Sequence, residues 1–547
     1  MQQTVGTYLI EALEALGVRH VFGIPGVHNL ELYRGLAASG IRHVAARHEQ
    51  GLGFMADGYA RVSGQVGVCF TITGPGLTNI ATAMGQAYAD SVPLLVISSE
   101  NRRGEIGTGR GYLHELTDQF GIGARVAGFS QRITQPQDLP AALAHVFRGL
   151  RAARPLPAYL EIPRDVLREP ATGLPPVLTW AGEVLQAMEV AVPHPAESAL
   201  QLAAGRLAAA ERPVLVAGGG SRRAAAELRA LAELLGAPVV MTSNARGVLP
   251  PGHPLAVPFS PSLEPVRQLV MAADAVLVVG SECGQTDFDM YDVAPFPQPH
   301  GLVRIDIDRD QLQRGLRPEV SLLGEAGGVL RALLATMATT TRAGTPAARL
   351  SRGAAMAESA CDATFAALSP AMQRQIGFLE TIRELLPEAL LVGDSTQPVY
   401  AGNLGFNAAS PGGWFNSSTG YGALGYALPA STGASLAAPE RPVVCLVGDG
   451  GLQFSLGELA GPRENNAWMA IVVWNNHGYG EIKTSMLAVD IEPEGVDVQP
   501  PDFVPLAAAY GYEYRCVANL DEVAAALRDF AAERQVVLLE VRAANFE

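Results

Sequence analysis

Short apolar runs that end in glycine, proline or a polar residue alternate with segments of helical spacing along most of the chain. In the first part, "VGTYLIEALEALG" has helical spacing, whereas "HVFGIPG" and "VGVCFTITGPG" are continuous apolar runs. Continuous apolar runs are typical of strands buried on both faces, and their alternation with helices indicates parallel sheets. The pattern therefore predicts an α/β protein.

The pattern continues through three blocks, each with four strand candidates. The first block continues with "PLLVISSE" and "PAYLEIPRDV"; the second contains "PVLVA", "PVVMTS", "AVLVVGSE" and "LVRIDIDRD"; the third contains "ALLVGDS", "PVVCLVGDG", "WMAIVVWNN" and "QVVLLEVRA". No internal sequence repeat is evident among the blocks.

Two stretches of different composition separate the blocks. They are the proline-rich "REPATGLPPVLTW" near residue 175 and a polar, alanine-rich stretch at roughly residues 338–370. A chain of 547 residues suffices for about three domains. We predict three doubly wound parallel-sheet domains, over residues 1–175, 190–338 and 370–547. One or two larger α/β domains with proline-containing insertions are the alternative.

Composition narrows the class of protein. A formal net charge of −15 disfavours a nucleic-acid partner, and no apolar run is long enough to span a membrane. The five cysteines lie far apart, which predicts neither a disulfide framework nor a metal cluster and suggests a cytoplasmic protein. Lys483 is the single lysine. Schiff-base chemistry would depend on it alone, so another cofactor is the better candidate for an electron sink.

Polar residues follow two strand candidates of the third block. "GDGG" occupies residues 448–451 after one apolar run, and "NN" at 475–476 ends the next run. Ligands of parallel α/β sheets bind beyond the carboxyl ends of strands, and the oxygens of Asp449 and Asn476 suit Mg²⁺ or Ca²⁺. The glycines permit close backbone approach, and a helix predicted to start near Ser455 would favour an anion. Ordinary turn residues that cap two strands are the alternative.

The full spacing resembles a known motif. "GDG" at 448–450, followed after 24 residues by "NN", is similar to the metal-binding motif of thiamine diphosphate enzymes. "RHEQGLGFMADGYAR" (47–61), "FTITGPGLTN" (70–79) and "GALGYALPA" (422–430) resemble the acetolactate synthase and 2-oxoacid decarboxylase group. The resemblance covers nearly the whole chain. It implies a pyrimidine-binding domain, a central domain and a diphosphate-binding domain, with thiamine diphosphate and Mg²⁺ as cofactors.

The resemblance also implies roles for individual residues. Asp449, the Asn476 side chain and the Gly478 carbonyl would ligate Mg²⁺, while Glu49 would hydrogen-bond the aminopyrimidine and promote loss of the thiazolium C2 proton. Leu424 would hold the cofactor in its bent shape. The other residues that the resemblance assigns to the cofactor pocket are Pro25, Gly26, Thr73, Asn79, Ser395, Thr396, Gln397, Gly422, Gly448, Gly450, Gly451, Tyr479 and Gly480. Without the resemblance, Glu49 reads as an acid at a helix start.

Members of this group place the equivalents of Glu49 and Asp449 on different subunits. The resemblance therefore implies a homodimer or homotetramer with active sites at the subunit interface.

The segments that would determine which reaction is catalysed differ in sequence from those of two well-known subgroups. Val27 follows Pro25-Gly26 and "YLHELTDQ" (112–119) lacks a His-His pair, unlike simple pyruvate decarboxylases. Acetolactate synthases usually carry Phe-Gln where this chain has His114-Glu115. "GSECGQTDFDMYD" (280–292) also lacks the arginine of their FAD-contacting strand end, which disfavours FAD.

Three segments together most resemble the 5-guanidino-2-oxopentanoate (2-ketoarginine) decarboxylases of arginine catabolism. They are "GIPGVHNLELYRGL", "SSENRRGEIGTGRGYLHELTDQ" and "GQTDFDMYD". The products would be 4-guanidinobutanal and CO₂. A guanidinium group requires a carboxylate partner. Glu115 is the first candidate, with Asp118 and the acids of 287–292 behind it; the alternative is that Glu115 pairs with Arg110.

Two histidines are candidate proton carriers, because imidazole titrates near neutrality. They are His28 and His114, and the alternative for each is a loop histidine bonded to backbone. Gln119 and Glu481 are further candidate substrate contacts. The competing functions are an acetolactate-synthase-type carboligase or lyase and a catalytically silent member of the fold. An NAD-dependent oxidoreductase is disfavoured because no G-x-G-x-x-G follows a first strand.

Overall fold

A computed structural model of the chain describes residues 2–190, 193–288, 298–338 and 344–546. Within these ranges the chain forms three sheets of six strands, and every paired strand is parallel. Helices alternate with the strands, so the predicted α/β class with three parallel-sheet units is confirmed. No helix in these ranges has both the length and the apolar character that a membrane crossing requires.

The first unit has the strand order β2-β1-β3-β4-β6-β5. Its strands are β1 His20–Gly23, β2 Arg42–Ala45, β3 Gly67–Thr71, β4 Leu94–Glu100, β5 Phe129–Arg132 and β6 Ala158–Pro163. Its helices are α1 Val5–Ala15, α2 Leu30–Arg34, α3 Glu49–Ser63, α4 Pro75–Ala89, α5 Gln119–Arg125, α6 Asp138–Ala152, α7 Arg164–Arg168 and α8 Val177–Val190.

The second unit has the strand order β12-β11-β10-β7-β8-β9. Its strands are β7 Pro213–Ala217, β8 Val239–Met241, β9 Ala256–Val257, β10 Ala275–Val279, β11 Leu302–Asp306 and β12 Val320–Leu323. Its helices are α9 Glu197–Ala209, α10 Ala225–Leu235, α11 Glu264–Met271, α12 Gln285–Phe288, α13 Ala326–Ala338 and α14 Pro346–Ala367.

The third unit has the strand order β14-β13-β15-β16-β18-β17, which repeats the connectivity of the first unit. Its strands are β13 Leu390–Gly393, β14 Trp414–Asn416, β15 Val443–Gly448, β16 Met469–Asn475, β17 Glu513–Val517 and β18 Val536–Arg542. Its helices are α15 Pro370–Leu385, α16 Gln397–Gly405, α17 Ala427–Ala437, α18 Asp449–Gln453, α19 Ala460–Glu464, α20 Gly480–Ala488, α21 Phe503–Tyr510 and α22 Leu520–Glu533.

The four strands predicted in each block are the four inner strands of each sheet, and the sequence pattern missed the outer two. Inner strands such as β4 and β16 are buried along their whole length. The outer strands β5 and β17 are half-buried along most of theirs, while β9 and β14 are only two and three residues long. Outer strands therefore lack the continuous apolar run on which the prediction depended.

Helix α8 lies beyond residue 175, where the sequence predicted that the first unit ends. Its Val177 and Ala181 are buried in the same apolar core as α1. The indole Nε1 of Trp180 donates a 2.9 Å hydrogen bond to the hydroxyl of Tyr8. The first unit therefore continues through α8, because this helix covers apolar surface of the first core. The prolines near residue 175 mark the turn before α8.

The alanine-rich stretch predicted as a separator at 338–370 contains the long helix α14. Its Ala357 and Ala360 are buried in a core with Val266 and Leu269 of α11. The helix thus packs on the second unit rather than serving as an extended linker.

Helices α3 and α17 meet in direct backbone contact, which joins the first and third units. A Cβ atom at Gly58 would overlap the carbonyl of Ala430, and one at Gly433 would overlap the carbonyl of Met55. The contacts are reciprocal. Gly58 lies three residues after Met55, whose carbonyl meets Gly433, and Gly433 lies three residues after Ala430, whose carbonyl meets Gly58. Each helix also follows the second strand of its own unit.

A buried polar cluster reinforces this junction. Arg61 of α3 forms ion pairs with Asp57 at 2.6 Å and with Asp90 at 2.7 Å, all with side chains almost fully buried. From the third unit, the hydroxyls of Tyr426 and Thr419 donate hydrogen bonds to Asp57 and Asp90 respectively. The charges are therefore paired across the boundary between the two units.

Gly433→Ala is expected to destabilise the protein by about 3 kcal/mol, because the added methyl group forces α3 and α17 apart. Gly205→Ala in α9 is the matched control, since a Cβ there meets no atom within 4 Å. That change is expected to be neutral or to stabilise by up to about 1 kcal/mol. Scanning calorimetry of both variants checks this, and an unchanged Gly433→Ala transition would show that the contact does not limit stability.

Candidate functional site

Three oxygen-bearing groups converge beyond the ends of the neighbouring strands β15 and β16. Asp449 begins α18, directly after β15, and its Oδ1 and Oδ2 accept hydrogen bonds from the N–H groups of Asn476 (3.2 Å) and Gly478 (2.9 Å). The two strands are paired through Gly448 and Trp474, which brings their polar ends together. The predicted convergence of the two polar ends is therefore present.

The amide of Asn476 completes this group. One of its two terminal atoms lies 3.1 Å from Asp449 Oδ1 and 2.8 Å from the carbonyl oxygen of Gly478. As the amide nitrogen, this atom donates a hydrogen bond to both oxygens; with the amide turned, its oxygen joins them as a third donor to a cation. The set of one carboxylate, one amide and one carbonyl suits Mg²⁺. Among the described residues, no cluster of three His, Cys, Asp or Glu side chains offers a different metal site.

The glycines around this group permit close packing of the loop after β16. A Cβ at Gly450 would lie 2.7 Å from the Tyr479 ring, and one at Gly478, with φ of +143°, would overlap the carbonyl of Val496. The Tyr479 N–H donates to the same carbonyl at 2.8 Å. A helical segment begins near Ser455 as predicted: the 3₁₀ helix Leu456–Leu459 has Ser455 at its N-cap position. The short helix α18, which begins at Asp449, precedes it and was not predicted.

The segment after β13 forms the next wall. Gln397 Oε1 accepts hydrogen bonds from Trp474 Nε1 at 2.9 Å and from Asn476 Nδ2 at 3.3 Å. Thr396 lies against Gly448, where a Cβ would come within 3.2 Å of its hydroxyl. Ser395 Oγ lies 2.9 Å from another hydroxyl, that of Ser418. The three residues assigned to the cofactor pocket after β13 thus lie together beside the oxygen set, and Gly451 is next to them.

Asp394 belongs to this wall and was missed by the sequence reasoning. It is fully buried, and its oxygens accept hydrogen bonds from the N–H groups of Ser395 and Gly425, each at 2.8 Å. Burial raises the pKa of Asp394 to about 6. A signal existed, because "LVGDS" ends its strand with the same Gly-Asp pair as "LVGDG".

Glu49 lies at the start of α3 in the first unit. It is buried, and Nδ2 of Asn79 donates a 2.9 Å hydrogen bond to its Oε2. The backbone before it is held by Glu458, whose Oε1 accepts from the N–H groups of Arg47 and His48 at 2.8 and 3.0 Å. Burial raises the pKa of Glu458. No sequence motif pointed to Glu458.

Leu424 is half-buried in the turn before α17. Its carbonyl accepts a 3.3 Å hydrogen bond from Gln50 Nε2, next to Glu49. Gly422 has φ of +75°, a conformation that favours glycine. The α3–α17 junction therefore links the segment of Glu49 to the segment of Leu424 within one chain.

His28 and His114 lie beyond the carboxyl ends of the first sheet. Their rings are stacked with centroids 5.3 Å apart, and the Nδ1 atom of each is buried with no partner in the described structure. Nε2 of His28 lies 3.1 Å from Oδ1 of Asn101. Burial, followed by the charges of Arg164 and His114, lowers the pKa of His28. The structure thus brings the two predicted proton carriers together, and Asn101 was missed.

The carboxylate of Glu115 accepts hydrogen bonds from its own loop. Its Oε1 accepts from Thr108 Oγ1 (3.2 Å) and the Gly109 N–H (2.7 Å), and its Oε2 from the N–H groups of Gly111 (2.9 Å) and Tyr112 (3.1 Å). No ion pair joins Glu115 to an arginine within the described ranges. Its role as the guanidinium partner stays a prediction, although four donors already compete for the carboxylate.

Gln119 is buried beneath the same site. Its Oε1 accepts from the Gly74 N–H at 2.6 Å, and its Nε2 donates to the Ser99 carbonyl and to Glu161. Gly74 opens α4 directly after Thr73, whose hydroxyl lies 3.2 Å from that of Ser99. Gln119 therefore supports the loop before α4, and its amide has no free group for a substrate.

Pro25 and Gly26 form the exposed turn before His28. The Gly26 N–H donates to Asn29 Oδ1 at 2.8 Å, which closes the turn. The closed turn lies between the carboxyl end of β1 and His28.

The surroundings of the Glu481 carboxylate differ from those of Glu115. It follows Gly480 in the first turn of α20, and Gly480 packs against the Asn476 side chain. Within the described structure, no hydrogen-bond or ion-pair partner meets its carboxylate. Partial burial raises its pKa, and its charge in turn contributes to the raised pKa of Tyr400 beside Ser395.

Of the acids of 287–292, Asp287 lies in the second unit. Asp287 belongs to α12, and burial raises its pKa to about 7. Asp289 and Asp292 fall outside the described residues.

The glycine triplet at 218–220 does not form a phosphate cradle. The N–H groups of Gly218 and Gly220 donate to the carbonyls of Val279 and Gly280 at 2.9 and 3.0 Å. A Cβ at Gly218 would overlap the Gly280 carbonyl, so the two loops are pressed together. This geometry does not favour a dinucleotide pyrophosphate there. The absence of FAD and NAD stays a prediction.

Three family models match successive parts of the chain. "Thiamine pyrophosphate enzyme, N-terminal TPP binding domain" matches residues 3–122, the corresponding central domain matches 200–333 and the "C-terminal TPP binding domain" matches 394–541. Glu49 lies within the first match and Asp449 within the third.

Full-length relatives agree with these matches. The chain is 44% identical to a Pseudomonas aeruginosa protein described as "Probable 2-ketoarginine decarboxylase AruI", over 98% of this chain and 94% of the relative. It is 30% identical to the acetolactate synthase isozyme 1 large subunit of Escherichia coli (98% and 94%). It is 32% identical to the acetolactate synthase large subunit of Corynebacterium glutamicum (95% and 83%).

Asp449→Asn is expected to abolish Mg²⁺-dependent binding of thiamine diphosphate, because it removes the carboxylate of the oxygen set. With cofactor at about 100 times its Kd, the wild type gains about 2.7 kcal/mol of stability. Thermal unfolding with cofactor and Mg²⁺, against cofactor and EDTA, measures this gain. Asp521→Asn, at an exposed position of α22, is expected to behave as the wild type. A full gain in Asp449→Asn would contradict the assignment.

Proposed function

Because the chain belongs to the thiamine pyrophosphate enzyme family, we propose that it decarboxylates a 2-oxoacid with a cationic side chain, using thiamine diphosphate and Mg²⁺. The substrate proposed is 5-guanidino-2-oxopentanoate, which would give 4-guanidinobutanal and CO₂ as a step of arginine breakdown. The observation that carries this specificity is the exposed carboxylate of Glu481, which has no partner among the described residues and follows Gly480, the residue packed against the Asn476 side chain. The relative described as a 2-ketoarginine decarboxylase supports it.

The residues of the third unit fit the diphosphate end of the cofactor. Asp449, Asn476 and the Gly478 carbonyl would hold Mg²⁺, because they lie together and offer a carboxylate, an amide and a carbonyl oxygen, the ligand types that Mg²⁺ prefers. Thiamine diphosphate, when bound, supplies the carbon nucleophile and electron sink that decarboxylation of a 2-oxoacid requires. Ser395, Thr396 and Gln397 would line the same pocket.

Residues of the first unit would manage protons. Glu49, oriented by Asn79, would hold a proton at its free Oε1 as the hydrogen-bond partner of the pyrimidine. The aldehyde product carries a hydrogen where the substrate carried its carboxylate, so one proton must be delivered to that carbon. The buried, unpartnered Nδ1 atoms of His28 and His114 are the proposed donors.

Two exposed apolar patches support a homodimer with shared active sites, which can assemble further into a tetramer. Val27, Leu30 and Leu113 are close in sequence to the two histidines, and each is at least half exposed. Phe454 and Ile482 are equally exposed near the oxygen set. Such patches mark interaction surfaces, and pairing one patch with the other would bring Glu49 of one subunit toward Asp449 of the next.

The second candidate function is acetolactate-synthase-type carboligation, which the relatives of 30–32% identity favour. The holoenzyme should be given 5-guanidino-2-oxopentanoate, the uncharged 2-oxohexanoate and pyruvate, while CO₂, aldehyde and acetolactate are measured. We expect the guanidino acid to have the highest kcat/KM and to yield aldehyde. Acetolactate from pyruvate, without turnover of the guanidino acid, would overturn the proposal.

Glu481→Gln is expected to lower kcat/KM for 5-guanidino-2-oxopentanoate by roughly 10- to 100-fold, since it removes a charge-assisted hydrogen bond. The same variant should process 2-oxohexanoate normally. Glu492→Gln removes an equal charge from an exposed position nearby and serves as the control. Equal losses on both substrates would show that Glu481 does not read the side chain.

A further inference from the structure

The segment between Asn101 and Gln119 contains an unusual density of left-handed backbone. Gly107, Gly109 and Gly111 have φ of +63°, +68° and +75°, and His114 has φ of +63° without being glycine. Three glycines in one short loop leave many conformations open, so something else must order the loop. A histidine in this region persists only where its surroundings determine its conformation.

The surroundings that determine it are two anchors on either side of His114. Before it, Asn101 Nδ2 donates a 3.2 Å hydrogen bond to the carbonyl of Leu113. After it, the Glu115 carboxylate accepts hydrogen bonds from Thr108 Oγ1 and from the backbone N–H groups of residues 109, 111 and 112. Desolvation opposes ionisation of Glu115, but these donors outweigh it, and its pKa lies below the ordinary value.

Resting on the proposed function, we propose that Glu115 is a positioning residue that fixes His114 against His28, rather than the group that binds the substrate guanidinium. Its carboxylate orders the loop that carries the His114 ring, and both of its oxygens are engaged in hydrogen bonds to that loop. Substrate selectivity is then left to Glu481, and the loop of Glu115 sets the efficiency of proton delivery.

A double-mutant cycle tests the coupling of Glu115 to His114 in the holoenzyme. His114→Ala is expected to lower kcat by roughly 100-fold. Glu115→Ala is expected to lower it by about 10- to 100-fold, equally on 5-guanidino-2-oxopentanoate and 2-oxohexanoate, through misplacement of the ring. In the His114→Ala background, Glu115→Ala should cause no further loss. Glu115→Gln, which keeps one acceptor oxygen, should fall between wild type and Glu115→Ala.

Arg110→Gln is the control, because Arg110 is exposed in the same loop. It should retain kcat within about twofold. A loss confined to the guanidino substrate, or a further loss in the His114→Ala background, would overturn the proposal.

A measurement without substrate separates this inference from the proposed function. Hydrogen–deuterium exchange at the imidazole Cε1, read by mass spectrometry, gives the pKa of His28 in the holoenzyme. The groups that face His28 are Arg164 of α7, with Glu105, His114 and Asn101 in the 101–118 segment. We expect Glu115→Ala to raise the pKa of His28 toward 6.5, because the loosened loop admits water.

An unchanged His28 titration would contradict the positioning role even if no 2-oxoacid is turned over. Absence of turnover by the wild type would defeat the proposed function alone.

Discussion

Two glycines hold helices α3 and α17 at a distance that a Cβ atom would prevent, and the site depends on that distance. Gly58 and Gly433 each lie on a carbonyl of the opposite helix. Because Glu49 begins α3 and Leu424 precedes α17, this contact fixes the start of α3 relative to the turn before α17. The hydrogen bond from Gln50 to the Leu424 carbonyl follows from the same approach.

The junction also explains why charged groups are buried so deeply there. Arg61, Asp57 and Asp90 would each be costly to bury alone, but they satisfy one another and accept hydroxyl donors from the third unit. Close backbone packing sets the distance between the two helices, and the polar cluster favours one alignment of the helices along their axes.

The sequence predicted the middle of each sheet and not its borders. Strands β4 and β16 are buried throughout, so they read as continuous apolar runs, whereas β5 and β17 are half-buried and carry no such signal. The boundary predicted near residue 175 rests on prolines. Prolines report a turn but not which core the next helix covers, and Val177 and Ala181 of α8 cover the first core.

Residues within a motif could be proposed for the site from the sequence, whereas residues that act only through three-dimensional contact could not. Asp449 and Asn476 have a fixed spacing, but Glu458 and Asn101 act through backbone groups that no residue pattern reveals. Glu115 shows the same limit. The sequence shows that this residue carries a charge, but it does not show that backbone N–H groups of the loop point toward the carboxylate.

The first and third units share one strand order, and their equivalent helices meet in a reciprocal contact. A reciprocal contact of this kind is typical of an interface between two identical subunits, in which both sides must present the same residues. In this chain the two sides differ in sequence, so each can present groups that the other lacks. The first unit supplies the carboxylates of Asp57 and Asp90, and the third unit supplies the hydroxyls of Tyr426 and Thr419. The two sides of the junction are therefore complementary rather than alike.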